Sequence, residues 1–397
     1  MRLKPDTAAF VVLLGALTSV GPLSTDIYLP SMPSIAATFG TTPAGAEATL
    51  TGYFFGFAIA QIIHGPISDR VGRRPVLLAG LALYALAGFA CIFAPTIGLL
   101  IAARAVQAIA AAAPIILART IVRDVHSGVR AGRLFSLIAS ITGLMPIVAP
   151  LLGGVLETHF GWKSSFIVMG LLGVVGFVVV GVAMPETIRQ RSVVPLSLGS
   201  IFVSFGQVAQ NARFRAYAAM LSFAYGGFFV YIGVSSFIVQ RYYGLSPVAY
   251  GLTFTLGAAS FIAGTFLGRR IAHRSGLDYA LGVGTALLAG GGLLLPAAML
   301  LGPGTIPEFV IPMAVFQAGI GIVTPQGLAA AMTPFPERAG AASSLVGFLH
   351  MTTAALFLGL TGLFFGNHAL LQACVIGGNG VAAFIVFLAS RRLRAAV

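Results

Sequence analysis

The chain has 397 residues, of which 58% are hydrophobic and only 8% are charged. Soluble domains carry roughly 25% charged residues, so most of this protein's surface is not suited to water. The formal net charge of +13 would fit a nucleic-acid-binding protein only if the basic residues were clustered for that purpose. Composition therefore excludes an ordinary soluble domain. How the positive charge is interpreted depends on where the basic residues lie along the chain.

Apolar stretches long enough to cross a bilayer, which takes about 20 residues, follow one another along the whole chain. The first is longer than the ~7–15 apolar residues of a cleavable signal, and it ends at Pro30 and Pro33 without an A-x-A site. We therefore expect a retained helix and an all-α membrane protein. The twelve predicted spans are 8–30, 46–64, 76–94, 97–118, 132–156, 164–184, 216–239, 249–268, 279–301, 308–331, 340–365 and 369–390.

The basic residues lie almost entirely on one side of these spans. Of the 23 Lys and Arg residues, only Lys163 and Arg241 fall on the side opposite the termini, and Arg104 lies inside a helix. Positive residues mark the cytoplasmic side, so both termini are predicted to be cytoplasmic. The net charge then reflects topology and attraction to anionic lipid headgroups, and nucleic acid is not expected as a partner.

The longest polar connection, at about residues 185–215, divides the spans six and six. The predicted organisation is an N-terminal half at 1–184, a cytoplasmic linker at 185–215 and a C-terminal half at 216–397. Fusion of two such halves is a common transporter plan, with the substrate site at their interface near the midplane. Residues 69–72, DRVG, follow the second span, and the similar residues 273–276, HRSG, follow the eighth. This short internal repeat is at equivalent positions in the two halves.

Motifs for enzyme chemistry are missing from the sequence. It contains no HExxH, GxxxxGK[ST] or CxxC motif, and its two cysteines, Cys91 and Cys374, lie inside apolar spans as packing residues. We therefore expect no enzyme activity, no metal and no prosthetic group.

The segment after the second span reads GPISDRVGRRP over residues 65–75. Gly72 permits a tight reversal and Pro75 suits the first turn of the next helix. Asp69 can interact favourably with the positive N-terminus of a helix. A carboxylate held by arginines and a helix end in one conformation, and released in another, would act as a latch. The predicted latch residues are Gly65, Asp69, Arg70, Gly72 and Arg73.

This segment resembles the signature G-x-x-x-D-R-x-G-R-[RK] of the major facilitator superfamily. Residues 100–107 resemble the R-x-x-Q motif of that family's fourth helix, although Ala108 stands where a glycine is usual. Residues 150–154, PLLGG, resemble the end of its fifth-helix antiporter motif, with Ala149 and Met145 replacing glycines. The resemblance implies twelve helices in two six-helix halves that work by alternating access.

Two further segments narrow the resemblance. Residues 24–30, STDIYLP, and residues 184–187, MPET, are similar to the bicyclomycin and chloramphenicol-resistance (Bcr/CflA) branch of drug–proton antiporters. This implies export of small amphipathic drugs across a bacterial inner membrane, with protons as the coupling ion. We expect a monomer.

Asp26 and Arg104 are charged residues inside spans, where such residues are costly and face a partner or a wet cavity. Asp26 is the only acid placed deep in a span, since Glu47, Glu157, Asp278 and Glu308 lie near predicted helix ends. We assign Asp26 as the proton acceptor, tuned by Arg104. The alternative is a fixed ion pair that binds the first helix to the fourth. His350 is a second titratable candidate, with an ordinary hydrogen-bonded histidine as its alternative.

Aromatic residues in the second and seventh spans suggest an apolar pocket with a few polar groups, as promiscuous binding sites have. Lipid-facing or packing aromatics are the alternative for each residue taken singly. The predicted substrate-binding residues are Tyr53, Phe57, Gln61, Gln107, Tyr225 and Phe229.

Prolines in the fifth span remove backbone donors and loosen the helix. The predicted hinge comprises Pro146, Pro150, Gly153 and Gly154, with a static kink as the alternative. Two other functions stay open at this point. A metabolite importer would be expected to carry more Asn, Gln and acidic side chains, and a transporter-like sensor would carry a large soluble domain.

Overall fold

The structure is a computed structural model that describes residue 3 and residues 7–126, 128–188, 198–335, 339–365 and 368–395. All regular structure in these residues is helical, and twelve helices are long and apolar enough to cross a membrane. The prediction of an all-α protein with twelve spans is confirmed. The described residues do not include five of the basic residues on the side of the termini: Arg2, Lys4, Arg189, Arg191 and Arg338.

We number the spans in chain order. The first six are Ala8–Thr38, Pro43–Val71, Arg73–Ile92, Ile97–Val125, Arg130–Phe160 and Lys163–Ala183. The last six are Ala212–Tyr242, Pro247–Ser275, Leu277–Leu301, Pro307–Met332, Gly340–Phe365 and Ala369–Ala389. We call these sets the first and second halves. Consecutive spans alternate in direction, so their ends fall on two faces. The face that holds both chain termini is the terminal face, and the other is the distal face.

Several spans begin earlier or run further than hydropathy predicts. The second span begins at Pro43, because Thr42 accepts a hydrogen bond from the Gly45 backbone and proline suits a first helical turn. It continues to Val71, so residues 65–71 of the predicted latch loop are helical. Polar residues at a helix end weaken the hydropathy signal without ending the helix.

The predicted linker also contains a helix, Leu198–Ala209, whose Phe205 and Val208 are buried in the core. The seventh span then begins at Ala212, where Asn211 accepts a hydrogen bond from the Phe214 backbone. Residues 189–197 of the predicted linker lie outside the described part of the chain.

Two spans of the first half are interrupted. The first span is an α-helix only to Asp26; a short 3₁₀ turn, Leu29–Ser31, follows, and the helix resumes as Met32–Thr38. The fifth span breaks at Leu144, between the helices Gly128–Gly143 and Met145–Phe160. Prolines at 30, 33 and 146 lie at these breaks, where each removes a backbone donor.

The two halves meet toward the distal face. There Gln240 of the seventh span donates a hydrogen bond of 2.8 Å to the Pro30 carbonyl, and Arg241 donates one of 3.4 Å to the Pro33 carbonyl. Near the terminal face, Arg119 and Arg123 of the fourth span are exposed. The structure therefore has its distal side closed.

Small residues allow close contact between the halves where the fifth span crosses the eighth. A Cβ added at Gly154 would lie 2.6 Å from the Pro247 carbonyl oxygen, and one at Gly251 would lie 2.8 Å from the Pro150 carbonyl oxygen. Gly153 faces the first span instead, against the backbone of Ile27. The predicted hinge glycines thus pack two helices closely against the fifth span.

Candidate functional site

Asp26 is the last residue of the first α-helical segment, and 4% of it is exposed. Its carboxylate accepts a hydrogen bond of 2.8 Å from the neighbouring Thr25 hydroxyl. The helix breaks directly after it, so the carboxylate lies beside irregular backbone within the span. The structure therefore provides a buried acid in the first half whose polar partner is neutral.

Arg104 is fully buried in the fourth span. Its guanidinium donates hydrogen bonds of 2.8 Å to the Ser24 carbonyl and 2.5 Å to Gln107 Oε1. It also lies over the rings of Tyr28 and Tyr53, at 4.2 and 4.4 Å from their centroids. These ring faces attract the positive charge.

The alternative of a fixed Asp26–Arg104 ion pair is wrong for this structure, because the salt bridges of the described residues do not include it. Arg104 instead ties the fourth span to the first through the backbone of Ser24, two residues before Asp26. Asp26 is thus not held by Arg104 in this structure.

Gln107 belongs to the interior of the first half. Besides accepting from Arg104, its amide lies 3.8 Å from the Met169 sulfur of the sixth span, and it is fully buried. The neighbouring Ser24 hydroxyl contacts the Tyr84 hydroxyl at 2.6 Å. Gln107 therefore helps to hold Arg104 in place, within the packing of one half rather than between the halves.

The predicted aromatic residues fall into two groups. Tyr53 stacks on Phe57, with centroids 6.4 Å apart, and faces Arg104 inside the first half. The ring centroids of Tyr225 and Phe229 are 5.7 Å apart, and Tyr225 stacks on His350 of the eleventh span with centroids 4.2 Å apart. Among the described residues, no ring contact joins Tyr53 or Phe57 to Tyr225 or Phe229.

Phe54 makes the link that the sequence analysis missed. Its ring lies 4.4 Å from that of Phe229, so it joins the second span to the seventh across the halves. Gln61, two turns along the same face, lies against Gly347, where an added Cβ would be 2.6 Å from its Oε1. Glu47, two turns in the other direction, lies against Gly362. The spacing of seven residues, which returns a helix to nearly the same face, was the available signal.

Glu47 corrects the expectation that Asp26 is the only deep acid. Only 1% of Glu47 is exposed, and neither carboxylate oxygen has a hydrogen-bond partner. It lies in the first helical turns of the second span, as the sequence indicated. Its burial comes from the eleventh span, which the sequence did not place beside it.

The latch is more extensive than predicted. Asp69 contacts Arg73 at 2.5 Å, and Arg73 also donates a hydrogen bond of 2.9 Å to Asp124. Glu186, rather than Asp69, binds the N-terminus of the third span, accepting from the backbone N–H groups of Arg73 at 3.0 Å and Arg74 at 3.2 Å. The assignment of the helix end to Asp69 is therefore wrong here.

The turn at Gly72 explains why a glycine stands in the latch. Its φ of +113° is a conformation that side chains rarely adopt, and an added Cβ would lie 2.5 Å from the Glu186 carboxylate. The carboxylate thus reaches the helix end through the space that glycine leaves. Gly65, by contrast, lies within the second span with nothing close to its Cβ position.

The family model of the Major Facilitator Superfamily matches residues 14–359. The chain belongs to the major facilitator superfamily. It is a multi-pass membrane transporter and not an enzyme.

Curated relatives cover nearly all of this chain. An uncharacterized MFS-type transporter of Bacillus subtilis, YdgK, is 34% identical over 90% of this chain and 89% of its own length. A bicyclomycin resistance protein homolog of Haemophilus influenzae is 28% identical over 99% of both chains. A chloramphenicol resistance protein of Pseudomonas aeruginosa is 28% identical over 96% of this chain and 87% of its own length. The resemblance to resistance transporters is confirmed.

Solved structures with this fold include a bacterial homolog of the human lysosomal transporter Spinster in an inward-facing, unoccupied conformation. It has a TM-score of 0.70 and 14% identity, and the match covers 99% of this chain and 97% of that one. A POT family transporter in complex with a thioalcohol-conjugated peptide has a TM-score of 0.76 and 14% identity, over 98% and 97%. At these identities the likeness shows the fold alone.

Proposed function

We propose that this transporter is an antiporter that exports small amphipathic compounds across the bacterial inner membrane in exchange for protons. The observation that carries the proposal is Asp26, a buried acid without a bound cation in the broken part of the first span. The names of the curated relatives, which refer to antibiotic resistance, support the substrate class.

Asp26 would bind and release the coupling proton. A buried carboxyl is most stable when neutral, and its ionised form becomes acceptable when water or a cation reaches it. Arg104 is tied to the backbone two residues earlier and does not contact the carboxylate, so Asp26 can exchange a proton without breaking an ion pair. Rearrangement of the break after Asp26 would change this balance between the two conformations.

The substrate would bind at the interface between the halves, around Phe54, Tyr225, Phe229 and His350. Aromatic rings there provide apolar area and stacking, while the Tyr225 hydroxyl and the His350 imidazole provide polar groups. The Phe54–Phe229 contact spans the two halves, so it must separate or shift when a compound enters. Substrate occupancy is in this way coupled to the arrangement of the halves.

Transport by proteoliposomes tests the proposal. Asp26→Asn keeps the size and shape of the side chain but cannot exchange a proton, so it should lose pH-driven accumulation of drug while retaining drug-for-drug exchange. Exchange is the internal control, because it requires folding, binding and movement of the halves but no net proton transfer. Accumulation at the wild-type level in the Asn variant would show that the proton carrier lies elsewhere.

A further inference from the structure

Glu47 is buried in the closed distal part of the interface. Both of its carboxylate oxygens are inaccessible and lack a hydrogen-bond partner, and it takes part in none of the salt bridges of the described residues. The proposed antiport mechanism uses Asp26 and leaves this second acid without a role. Acids rarely remain buried without partners, so its position requires an explanation.

The carboxyl lies between the halves. Across the interface, an added Cβ at Gly362 of the eleventh span would be 3.1 Å from Glu47 Oε2 and 3.3 Å from the Ala44 Cβ. One turn deeper, Gly359 faces Thr51 of the second span at 3.5 Å. Small residues on the eleventh span thus leave just enough room for the side chain, and separation of the two spans would open it to water.

Charged neighbours do not compensate Glu47. Arg104 is engaged with Ser24, Gln107 and the rings of Tyr28 and Tyr53, and Arg241 donates to Pro33. The other titratable or charged side chains on the second span and on the helices packed against it include Asp26, His64, Asp69, Arg70, Arg73, Tyr84, Cys91, Asp124, Tyr231 and His350. None of these is a hydrogen-bond or salt-bridge partner of Glu47 in the described structure.

An ionised carboxylate without a partner is far more costly in an apolar interior than the neutral acid. The closed interface therefore accommodates protonated Glu47, and the open interface accommodates either form. We propose that Glu47 is a second proton-binding site that gates the distal side, since its protonation permits the second and eleventh spans to close and its ionisation requires them to separate.

This proton is not the one transported. Glu47 lies near the distal end of its span, so it exchanges protons with the distal side when the interface opens and is buried when the terminal side is open. Acidity on the distal side would thus favour the closed arrangement. The inference rests on the proposed alternating access, but it concerns a conformational equilibrium and requires no drug.

The sign of the pH dependence follows from linkage. The closed state binds one more proton than the open state wherever Glu47 ionises on opening, so lowering the pH favours closure. For one linked proton, the closed-to-open ratio changes by up to about tenfold per pH unit. A variant with glutamine at position 47 has no proton to exchange there and should lose this dependence.

Distance measurements between spin labels provide the test. In full-length protein with Cys91→Ala and Cys374→Ala, labels at Ala37→Cys and Leu363→Cys, both exposed on the distal side, report the separation of the halves in lipid nanodiscs from pH 5 to pH 9. We expect the short-distance population to grow as the pH falls. Glu47→Gln should keep it high throughout, and Asp26→Asn should titrate like the parent protein.

Two results would overturn the inference: a parent protein whose distances do not respond to pH, or a Glu47→Gln variant that still titrates. The first needs no variant, so a folding failure of Glu47→Gln would not protect the inference. Wild-type accumulation by Asp26→Asn in the transport experiment, combined with a normal distance titration here, would overturn Asp26 as the proton carrier and leave the gate intact. Loss of accumulation by that variant, combined with distances that do not respond to pH, would overturn the gate alone.

Discussion

At the scale of single residues, Arg104 shows how a buried charge is held without a carboxylate. Three hydrogen bonds, to Ser24, Gln107 and the Met169 sulfur, and three aromatic rings surround its guanidinium. The planar group can do this because it presents donors at its edge and stacks through its faces. Asp26 therefore stays free of a permanent ion pair, which is what a carrier of protons requires.

Phe54 should matter for drug binding more than its neighbour Phe55. Phe54 is buried against Phe229, whereas Phe55 is 58% exposed on the outside of the helix. Aromatic contacts of this kind contribute roughly 0.5–1.5 kcal/mol beyond the area buried. We expect Phe54→Ala to weaken equilibrium binding of an aromatic drug about tenfold, as measured with radiolabelled compound. Phe55→Ala is the matched control; equal effects of the two substitutions would place the pocket elsewhere.

At the scale of secondary-structure elements, the latch joins the ends of four spans. The second span contributes Asp69, the third Arg73 and the fourth Asp124, while Glu186 follows the sixth. Glu186 satisfies N–H groups that have no partner within the third helix and lies at its positive end. The arrangement ties these ends together on the terminal face.

Glu186→Gln should impair transport at least as much as Asp69→Asn. The Asp69 side chain is 49% exposed, and exposed ion pairs contribute roughly 0–1 kcal/mol. Glu186 accepts hydrogen bonds from two backbone N–H groups of the third span, and charged hydrogen bonds contribute about 1.5–3 kcal/mol. Because both residues are distant from the aromatic site in the fold, the maximal transport rate should fall while drug affinity changes little. A large loss of affinity with a normal rate at saturating drug would contradict the latch.

Closure on the distal side should depend on the small residues where the fifth span crosses the eighth. Gly154→Ala places a methyl group 2.6 Å from the Pro247 carbonyl oxygen, so the helices must move apart. We expect this variant to shift the spin-label distances at positions 37 and 363 toward the open state. Gly290→Ala is the control, since nothing lies within 4 Å of its added Cβ. An unchanged distance distribution for Gly154→Ala would mean that this crossing does not limit closure.

At the scale of the whole molecule, the distal side is closed by contacts of several kinds. Gln240 bonds the backbone at Pro30, Gly154 packs on Pro247, and Glu47 is enclosed by the eleventh span. Basic residues such as Arg119 and Arg123 remain exposed toward the terminal face. These contacts hold the two halves together on the distal side.

The membrane orientation can be tested in intact cells. Single cysteines at His159 and His368, on the distal face, should react with a membrane-impermeant maleimide added outside. Cysteines at Arg274 and Arg392, on the terminal face, should react only after the membrane is permeabilised, because arginines mark the cytoplasmic side. All four positions are exposed, so burial does not explain protection. Efficient labelling at Arg392 from outside would reverse the orientation and the proposed direction of transport.

The sequence by itself determined the number and order of the membrane-spanning helices. Within a membrane each span must satisfy its own backbone hydrogen bonds, so a long apolar run is enough to specify a helix. The segment at residues 65–75 and Asp26 within the first span could also be recognised locally. These properties depend on residues adjacent in the chain, and they carried the family assignment.

Only the tertiary structure decided which side chains are enclosed between helices. Glu47 has the same sequence neighbours whether exposed or buried, and in the fold the eleventh span packs against it at Gly362. Phe54 rather than Tyr53 reaches the seventh span because the rotation of the second span places Tyr53 under Arg104. Helix rotation and pairing follow from packing summed over whole faces, with contributions from residues far apart in the chain. A short stretch of sequence therefore does not show which face of a helix will be buried against which neighbour.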